Sequence, residues 1–288
     1  MSSSWLDSFE EADIHVSSMC QKDVSPGKTH SLSHKFHALV QQISKEASLA
    51  RCDPVISNGC SRLHLLEVFC HEASELTKQV QLLGGRANRF GRAQGDLKTK
   101  EGRSVLFQMV WKQRPRHIWF SPTCGPWSAW NTFNEMRSIQ LCEHVQRERE
   151  SHLFELALGV VLLRMSRQLG NHMHWEQPRK SIMFKTPLLQ ELYSYTQEAN
   201  FDMCRAGQLT CPETNKLIQK EMAVRTTSQE MYASLHGRVC RRDHEHRPIA
   251  GSVTTPLGRI TVSSYTENYP RKFARQVAKV MLKVKRER

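Results

Sequence analysis

The sequence lacks any long apolar run. No stretch of about 18 apolar residues could cross a bilayer, and no apolar segment follows the first residues, so we expect neither a membrane span nor a signal peptide. No internal repeat is visible, which argues against solenoid architectures. Acidic residues are scarce beside basic ones: 28 Asp and Glu stand against 41 Lys and Arg, for a net charge of +13. This balance is typical of proteins that meet polyanions, nucleic acid first among them, although a solvated surface can have the same composition.

The cysteines also lack a regular framework. There are nine of them, an odd number at irregular spacings. Without a signal peptide, this predicts a reducing compartment, nuclear or cytoplasmic, in which the cysteines are thiols, metal ligands or a nucleophile. Apolar residues make up 39% of the 288 positions, which is enough for a real core. We expect a monomer that does not associate with membranes.

The chain divides into three parts by composition. Residues 1–60 are polar and serine-rich, which predicts a mostly disordered leader, with a short helix around "HKFHALVQQISKEASL" as one option. The folded part is expected to begin near Ser61. A core is predicted over 61–205, and a C-terminal part over 206–288 is expected to complete its sheet.

Apolar runs alternate with helical patterns beyond Ser61. "HLLEVF", "HIWF" and "HMHW" are short runs typical of buried strands, and "FDMC" and "MAVRTT" have the same character further on. A long helical pattern covers roughly 133–169, "TPLLQELYSYTQEAN" is a further helical segment, and a basic amphipathic helix ends the chain. This alternation predicts an α/β sandwich with a mostly parallel sheet.

Three predicted strands end in residues that can carry chemistry. Glu67 lies in the first, Cys124 follows the second in "SPTCGPWS", and Glu176 follows the third in "HWEQP". In an open parallel sheet, ligands bind beyond the carboxyl ends of the strands. A thiol and two carboxylates are therefore expected to face one crevice, although a lone cysteine is more often a small buried apolar residue.

These motifs resemble those of the cytosine-5 DNA methyltransferases. "SPTCGPWS" is similar to the family's catalytic loop, "HWEQP" to its later strand-end motif, and "LEVF" and "GDL" to its two cofactor motifs, in the family's order. The likeness is greatest to methyltransferase-like segments of transposable-element proteins from protists such as dinoflagellates. It implies a Rossmann-like methyltransferase sandwich, with the catalytic core over 61–205.

The resemblance also implies roles for individual residues. Cys124 would be the nucleophile and Glu176 the carboxyl that contacts a flipped cytosine in DNA, with RNA left open as a substrate. S-adenosylmethionine would be the cofactor. The residues that would bind the cofactor are Glu67, Phe69, Asp96 and Pro122. The residues that would bind the substrate are Ser128 and Arg205. Arg225 is a second candidate for the family's arginine element.

The chemistry accounts for these residue types. Cytosine C5 is a poor nucleophile, and attack of a thiolate on C6 turns the ring into an enamine that can accept a methyl group. A carboxyl near N3 stabilises the charge that this attack creates.

The family's first motif usually continues with glycines, whereas this chain has "CHEASE" at 70–75. If His71 fills the space beside Glu67, the cofactor is excluded. The alternative is therefore an inactive methyltransferase-like protein that binds nucleic acid.

Other interpretations of the Cys124 segment remain open at this point. "CGPW" is similar to a thioredoxin redox turn, but Trp127 stands where the second thiol would be. A cysteine hydrolase would pair Cys124 with His172 or His174. Trp127 and Trp130 are equally compatible with nucleotide stacking and with core packing.

A second cluster of chemistry-bearing residues lies in "CRRDHEH". Cys240, His244 and His246 have metal-like spacing, and Cys204 or Cys211 could complete a tetrahedral zinc site, although a polar surface loop is the alternative.

The terminal segment 271–288 holds eight Lys or Arg and one Glu. It is compatible with phosphate contacts, with a nuclear address or with the solvated face of a helix.

Overall fold

The computed structural model describes residues 26–51, 62–256 and 258–283. Its centre is a six-stranded sheet in the order β2-β1-β3-β4-β7-β5. Its strands are β1 Leu65–Val68, β2 Ala87–Phe90, β3 His117–Phe120, β4 His172–Pro178, β5 Gln197–Asp202 and β7 Glu221–Thr226. The strands outside this sheet are β6 Leu217–Ile218, β8 His246–Arg247, β9 Ser252–Thr255 and β10 Gly258–Thr261. Strands β1 to β4 are mutually parallel, and β7 runs antiparallel between β4 and β5. The prediction of a mixed α/β fold with a mostly parallel sheet is confirmed.

Helices cover both faces of the sheet. They are α1 Pro26–Leu49, α2 Glu75–Leu82, α3 Lys100–Gln113, α4 Ala129–Glu135, α5 Ile139–Ser151, α6 Leu153–Gln168, α7 Gln190–Tyr195, α8 Met203–Ala206, α9 Gln229–Leu235, α10 Val262–Tyr265 and α11 Arg271–Met281. Helices α1, α3 and α6 form one core with the sheet, while α2, α9 and α11 form the other. Neighbouring residues Leu65 and Leu66 of β1 belong to opposite cores, because successive side chains of a strand point to opposite faces.

The connections follow from the handedness of parallel crossovers. The chain goes from β1 to β2 on one side and then crosses back over β1 to β3. Since such crossovers are right-handed, reversing direction moves the connecting helix to the opposite face of the sheet. Helices α2 and α3 accordingly belong to opposite cores.

Helix α1 contains the segment 34–49 that was predicted as an optional helix, within a leader expected to be mostly disordered. Phe36, Val40 and Ile43 are buried in the core that α1 shares with α3 and α6. The carboxylate of Glu46 pairs with the guanidinium of Arg103 at 2.7 Å, and both side chains are buried. The folded part therefore extends N-terminal to Ser61, because one face of α1 packs its apolar side chains against α3 and α6. Residues 1–25 and 52–60 of the predicted leader, and Ser61, lie outside the described residues.

The long helical pattern of 133–169 is divided into three helices. Ser138 interrupts it, since its hydroxyl accepts a hydrogen bond from the N–H of Leu141 at 3.2 Å and begins α5 anew. His152 separates α5 from α6, and Gly170, with φ +64°, follows the end of α6. The chain breaks here because a polar side chain that caps a helix competes with continuation of the same helix.

Two other predicted segments are placed differently. The last residues of "TPLLQELYSYTQEAN" belong to β5, whereas α7 covers Gln190–Tyr195. "FDMC" finishes β5 and begins α8. The predicted terminal helix forms over Arg271–Met281 with Phe273, Val277 and Met281 buried, and residues 284–288 lie outside the described part. Among the described helices, none is long and apolar enough to cross a membrane.

Candidate active site

The topological switch point of the sheet lies between β1 and β3. One connection leaves β1 towards β2 and the next returns to β3 on the other side, so a crevice is expected beyond the carboxyl ends of these strands. Glu67 lies in β1, and Cys124 follows β3. Phe120 at the end of β3 pairs with Trp175, the neighbour of Glu176 in β4. The three residues predicted to face one crevice therefore belong to the same edge of the sheet.

The loop that carries Cys124 is anchored from α6. The carboxylate of Glu155 accepts hydrogen bonds from the backbone N–H of Thr123 at 2.8 Å and from its hydroxyl at 3.1 Å. Glu155 is buried in the first turn of α6. The residue immediately before Cys124 is thus held by two bonds to a carboxylate that has little freedom.

Three further side chains hold the same loop through its carbonyl groups. Gln177 donates to the carbonyl of Pro122 at 2.9 Å, and Arg149 donates to that of Pro126 at 3.1 Å. Ser181 donates to the carbonyl of Trp127 at 3.3 Å. These donors come from β4, from α5 and from the segment after β4. The loop is therefore held to α5 on one side and to β4 with its following segment on the other. Such bracing is what a nucleophile needs if its thiol is to meet a substrate in one geometry.

Cys124 is exposed at the tip of this loop. Although the residue is open to solvent, the surrounding protein desolvates its sulfur, and this raises the pKa of the thiol. The negative charge of Glu176 raises that pKa further, whereas the positive charge of Lys220 lowers it. The thiol is therefore protonated at neutral pH, and it lies within electrostatic range of both charged side chains.

Glu176 is buried and has a network of its own. The hydroxyl of Tyr269 donates to its Oε2 at 3.1 Å, and the same hydroxyl accepts from the indole N–H of Trp119 at 2.9 Å. Burial raises the pKa of Glu176, while Lys220 and the bonds from Tyr269 and Ser121 act in the opposite direction. A raised pKa favours the protonated form, in which a carboxyl can donate a proton.

Sequence analysis missed Tyr269 and Lys220. Tyr269 precedes α11, almost a hundred positions from Glu176, and Lys220 lies in the turn before β7, where its ammonium donates to the carbonyl of Thr266 at 2.6 Å. The segment "YPRKFAR" belongs to the resemblance, but nothing in it indicates a contact with Glu176. Lys220 carries no signal that could have distinguished it from other surface lysines.

Glu67 is engaged inside the protein. Its Oε2 accepts hydrogen bonds from the hydroxyls of Ser74 at 2.6 Å and Thr77 at 2.7 Å, at the start of α2. Burial raises the pKa of this carboxyl, and those two bonds lower it. His71 is exposed, and its Nδ1 accepts from the N–H of Ala73 at 3.0 Å. Ser74 and Thr77, rather than the imidazole of His71, therefore hold the Glu67 carboxylate.

Phe69 adopts a backbone conformation that is unusual for an aromatic residue. It follows β1 with φ +60°, a value that normally favours glycine, and its ring packs edge-on against Phe120 with centroids 5.3 Å apart. Such strain is often found at functional sites.

Of the other predicted cofactor residues, Asp96 is exposed in a turn before α3, where it accepts from the N–H of Lys98 at 2.9 Å, and Pro122 is buried.

The predicted substrate residues lie in different places. Ser128 is half-buried and precedes α4, immediately beyond the Cys124 turn. Arg205 lies on α8, where its partner is Asp243 of the "CRRDHEH" loop. Arg225 in β7 pairs with Glu198 at 2.6 Å. The described contacts of the two arginines therefore lead away from the Cys124 loop.

The tertiary structure separates the alternatives for Cys124 and the tryptophans. His172 begins β4 and His174 bonds with His117 at 2.9 Å, near the amino ends of β3 and β4, whereas Cys124 follows the carboxyl end of β3. A Cys–His hydrolase pair is thus not assembled from these histidines. Trp127 is buried, while Trp130 is 74% exposed. Core packing explains the first tryptophan but not the second.

A Cys/His cluster forms from residues other than those of the Cys124 loop. Ligand atoms of Cys204, Cys240, His244 and His246 all lie within 4.8 Å of one another. Of the two cysteines that the sequence left as the fourth ligand, the fold brings Cys204 rather than Cys211 to the cluster.

Comparisons of this chain with known protein families, with curated proteins and with solved structures find no match.

Proposed function

We propose that this protein transfers a methyl group from S-adenosylmethionine to C5 of cytosine in DNA through a covalent Cys124 intermediate. One observation carries the proposal. Cys124 follows β3, Glu176 lies near the end of the adjacent parallel strand β4, and Glu176 is close enough to act electrostatically on the Cys124 thiol. A thiol beside a carboxyl, at the carboxyl end of a parallel sheet, is the pair that attack on a pyrimidine ring requires.

The side chains divide the work of the reaction. Cys124 loses its proton and adds to C6 of the flipped cytosine, while Glu176, favoured in its protonated form by burial, donates to N3. Lys220 favours the thiolate, because its charge lowers the pKa of Cys124. C5 of the resulting enamine would take the methyl group from the cofactor, which would leave as S-adenosylhomocysteine. The C5 proton then passes to solvent, as the Cys124 proton did, while the C6–sulfur bond breaks. Glu176 recovers the N3 proton, and the thiolate and the methylated base are released. The base must leave the duplex for this, which costs a few kcal/mol.

The cofactor would supply the methyl group from the switch-point crevice. Glu67, Phe69, Asp96 and Pro122 would line its site. The Glu67 carboxylate is already pre-oriented by Ser74 and Thr77. It would hold a hydroxyl or amino group of the cofactor in addition to these hydroxyls or in place of them.

The surface next to Cys124 has features that suit nucleic acid. Trp130 and Phe133 are exposed on α4, directly after the catalytic turn, and Arg137 stacks over the Phe133 ring at 5.9 Å. Exposed aromatic rings with arginine beside them provide stacking platforms for bases. The net charge of +13 would add the long-range attraction to phosphates.

A second candidate is an inactive methyltransferase-like protein that binds nucleic acid, derived from a mobile element. The observation in its favour is that Glu67 is satisfied internally by Ser74 and Thr77, while the glycines of the usual cofactor motif are missing. Such a protein would bind DNA through its basic surface without binding S-adenosylmethionine. Calorimetry with S-adenosylmethionine on the folded chain separates the two candidates.

The decisive experiment uses DNA that contains 5-fluorocytosine. Fluorine replaces the hydrogen that must leave C5, so the reaction stops with the base attached to Cys124. With S-adenosylmethionine present, the wild type should give a complex that survives denaturation, on duplex or single-stranded DNA. Cys124→Ser should give none, and Glu176→Gln should form it at least about 100-fold more slowly, the usual size of a general acid's contribution.

Two controls make the result specific. Cys142→Ser removes a thiol on α5 outside the catalytic loop and should leave the adduct unchanged. Omitting S-adenosylmethionine should prevent the stable adduct, which excludes ordinary thiol reactivity. If the wild type binds the cofactor but forms no adduct on any fluorinated DNA, the catalytic role of Cys124 is wrong.

A further inference from the structure

The cluster of Cys204, Cys240, His244 and His246 plays no part in the proposed methyl transfer. Cys204 is buried in α8, immediately after β5, while the other three residues lie on the loop between α9 and β8 and at the start of β8. The fold therefore brings together two segments that are distant in sequence. Two thiols and two imidazoles are a donor set that zinc prefers.

The distances within the cluster fit a tetrahedral ion. The Sγ of Cys240 lies 3.6 Å from the Nε2 of His244 and 3.5 Å from the Nε2 of His246. Tetrahedral bonds of about 2.3 Å to sulfur and about 2.1 Å to nitrogen place these atoms about 3.6 Å apart. Both histidines thus present their Nε2 to the same sulfur at the separation that a shared ion imposes.

Neighbouring groups orient the candidate ligands. The Nδ1 of His244 lies 2.8 Å from a carboxylate oxygen of Asp243, and Asp243 is in turn paired with Arg205. A carboxylate at Nδ1 leaves Nε2 free as the ligand atom, the arrangement found around metal-bound histidine. The backbone N–H of Arg242 donates to the sulfur of Cys240 at 3.3 Å, and this stabilises a thiolate.

We infer that these four residues form a structural zinc site. Four protein ligands fill a tetrahedron and leave no position for water, so the site stabilises the fold rather than performing catalysis. Two thiolates and two neutral imidazoles also balance the charge of Zn²⁺. The region around the cluster has few regular elements: β6 and β8 are two residues each, and β9 and β10 form a small hairpin. Such a segment gains order from a metal that ties it to the main sheet.

The site is connected to the strand that carries Glu176. The backbone N–H of Cys240 donates to a carboxylate oxygen of Asp202 at 2.6 Å, and the other oxygen of Asp202 lies 3.4 Å from Arg179. Arg179 directly follows β4. The metal loop is therefore fastened to the ends of β5 and β4, and it orders the edge of the sheet that borders the candidate active site.

The test begins with metal content. The full chain, purified without chelators and under reducing conditions, should contain about one zinc ion per chain by elemental analysis. Cys240→Ser and His246→Ala should each lose the metal, whereas Cys142→Ser and Cys211→Ser should keep it. The Cys211 variant is the sharper control, because that cysteine is the alternative fourth ligand. A strong chelator should lower the Tm of the wild type and leave that of a folded Cys240→Ser unchanged.

Cobalt substitution keeps the test decisive if a variant fails to fold. The wild type loaded with Co²⁺ should show the intense visible bands of tetrahedral coordination and the near-ultraviolet charge transfer of cobalt–thiolate bonds. A folded wild type that binds neither metal would overturn the proposal. So would an octahedral cobalt spectrum, or an intact mass that reveals a disulfide between Cys204 and Cys240. None of these results depends on methyltransferase activity, so failure here leaves the proposed function standing.

Discussion

The hydroxyl of Tyr269 lies 3.1 Å from a carboxylate oxygen of Glu176, and this bond joins the C-terminal part of the chain to the end of β4. The indole N–H of Trp119 donates a hydrogen bond to the same hydroxyl, and the indole packs edge-on against the ring of Tyr269. The bond lowers the pKa of a carboxyl whose burial raises it. The protonation state of Glu176 is therefore set partly by a residue that lies outside the predicted catalytic core.

Replacing Tyr269 with phenylalanine should slow the adduct reaction and alter its pH dependence. Without the hydroxyl, Glu176 is held less firmly, and we expect a roughly tenfold slower rate, about 1.4 kcal/mol. Its pKa should rise, because a bond that lowers it is lost, so the decline in rate at high pH should move to higher pH. The measurement is the rate of adduct formation on 5-fluorocytosine DNA across the pH range.

Tyr265→Phe is the matched control for this change. Tyr265 is half-buried in α10, close in sequence, and has no described bond to Glu176. It should leave both rate and pH profile unaltered. Identical profiles for Tyr269→Phe and the wild type would show that the bond does not tune Glu176.

Cofactor affinity should depend on Glu67. We expect micromolar binding of S-adenosylmethionine that weakens at least about tenfold, or 1.4 kcal/mol, in Glu67→Ala. The reason is that a carboxylate at the end of the first strand can accept bonds from the cofactor. Calorimetry measures the affinity directly, and circular dichroism checks that the variant remains folded after Ser74 and Thr77 lose their acceptor.

Glu72→Ala provides the comparison, since this carboxylate is close in sequence but exposed. Its affinity should match that of the wild type. If the wild type is folded and binds no cofactor at all, the inactive nucleic-acid-binding alternative takes the place of the enzyme.

Buried histidines should make the protein sensitive to acid. Burial and neighbouring histidines lower the pKa of His174 well below its usual range, and burial with the charge of His172 lowers that of His117 to about 3. Below pH 6.5 the unfolded chain therefore binds protons that the folded chain does not. Each histidine makes stability fall with falling pH, by up to about 1.4 kcal/mol per pH unit.

His174→Gln tests this dependence. The amide can replace the ring in its contacts with Thr226 and His117, but it does not titrate. Between pH 6.5 and 5, the wild type should lose about 1.5 kcal/mol more free energy of unfolding than the variant. Urea unfolding at several pH values measures the difference. The raised pKa values of Glu67 and Glu176 have the opposite effect, which cancels because both proteins retain them.

His34→Gln, at an exposed position, should follow the wild-type curve throughout. Parallel curves for His174→Gln and the wild type would mean that His174 is already protonated in the folded protein, or accessible to water.

The sequence by itself determined strands β1, β3 and β4 and the residues at their ends, whereas β2 at Ala87–Phe90 was not predicted. Four-residue apolar runs are read correctly from local pattern, and a parallel sheet brings the ends of neighbouring strands to one edge. Local pattern and strand order are therefore enough to place Cys124 and Glu176 together. Close spacing in "CRRDHEH" likewise indicated a metal cluster, since ligands on one short loop are near each other in almost any fold.

Tertiary structure decided the contacts that no local pattern indicates. Helix α1 joins the core because its apolar face meets α3 and α6, which a polar average over 1–60 conceals. Cys204 rather than Cys211 meets the cluster, and Tyr269 and Lys220 reach Glu176 and Cys124, only because the C-terminal part folds back against the sheet. Local patterns record propensity and burial, whereas the choice of partner is made by the packing of whole elements, which no single segment encodes.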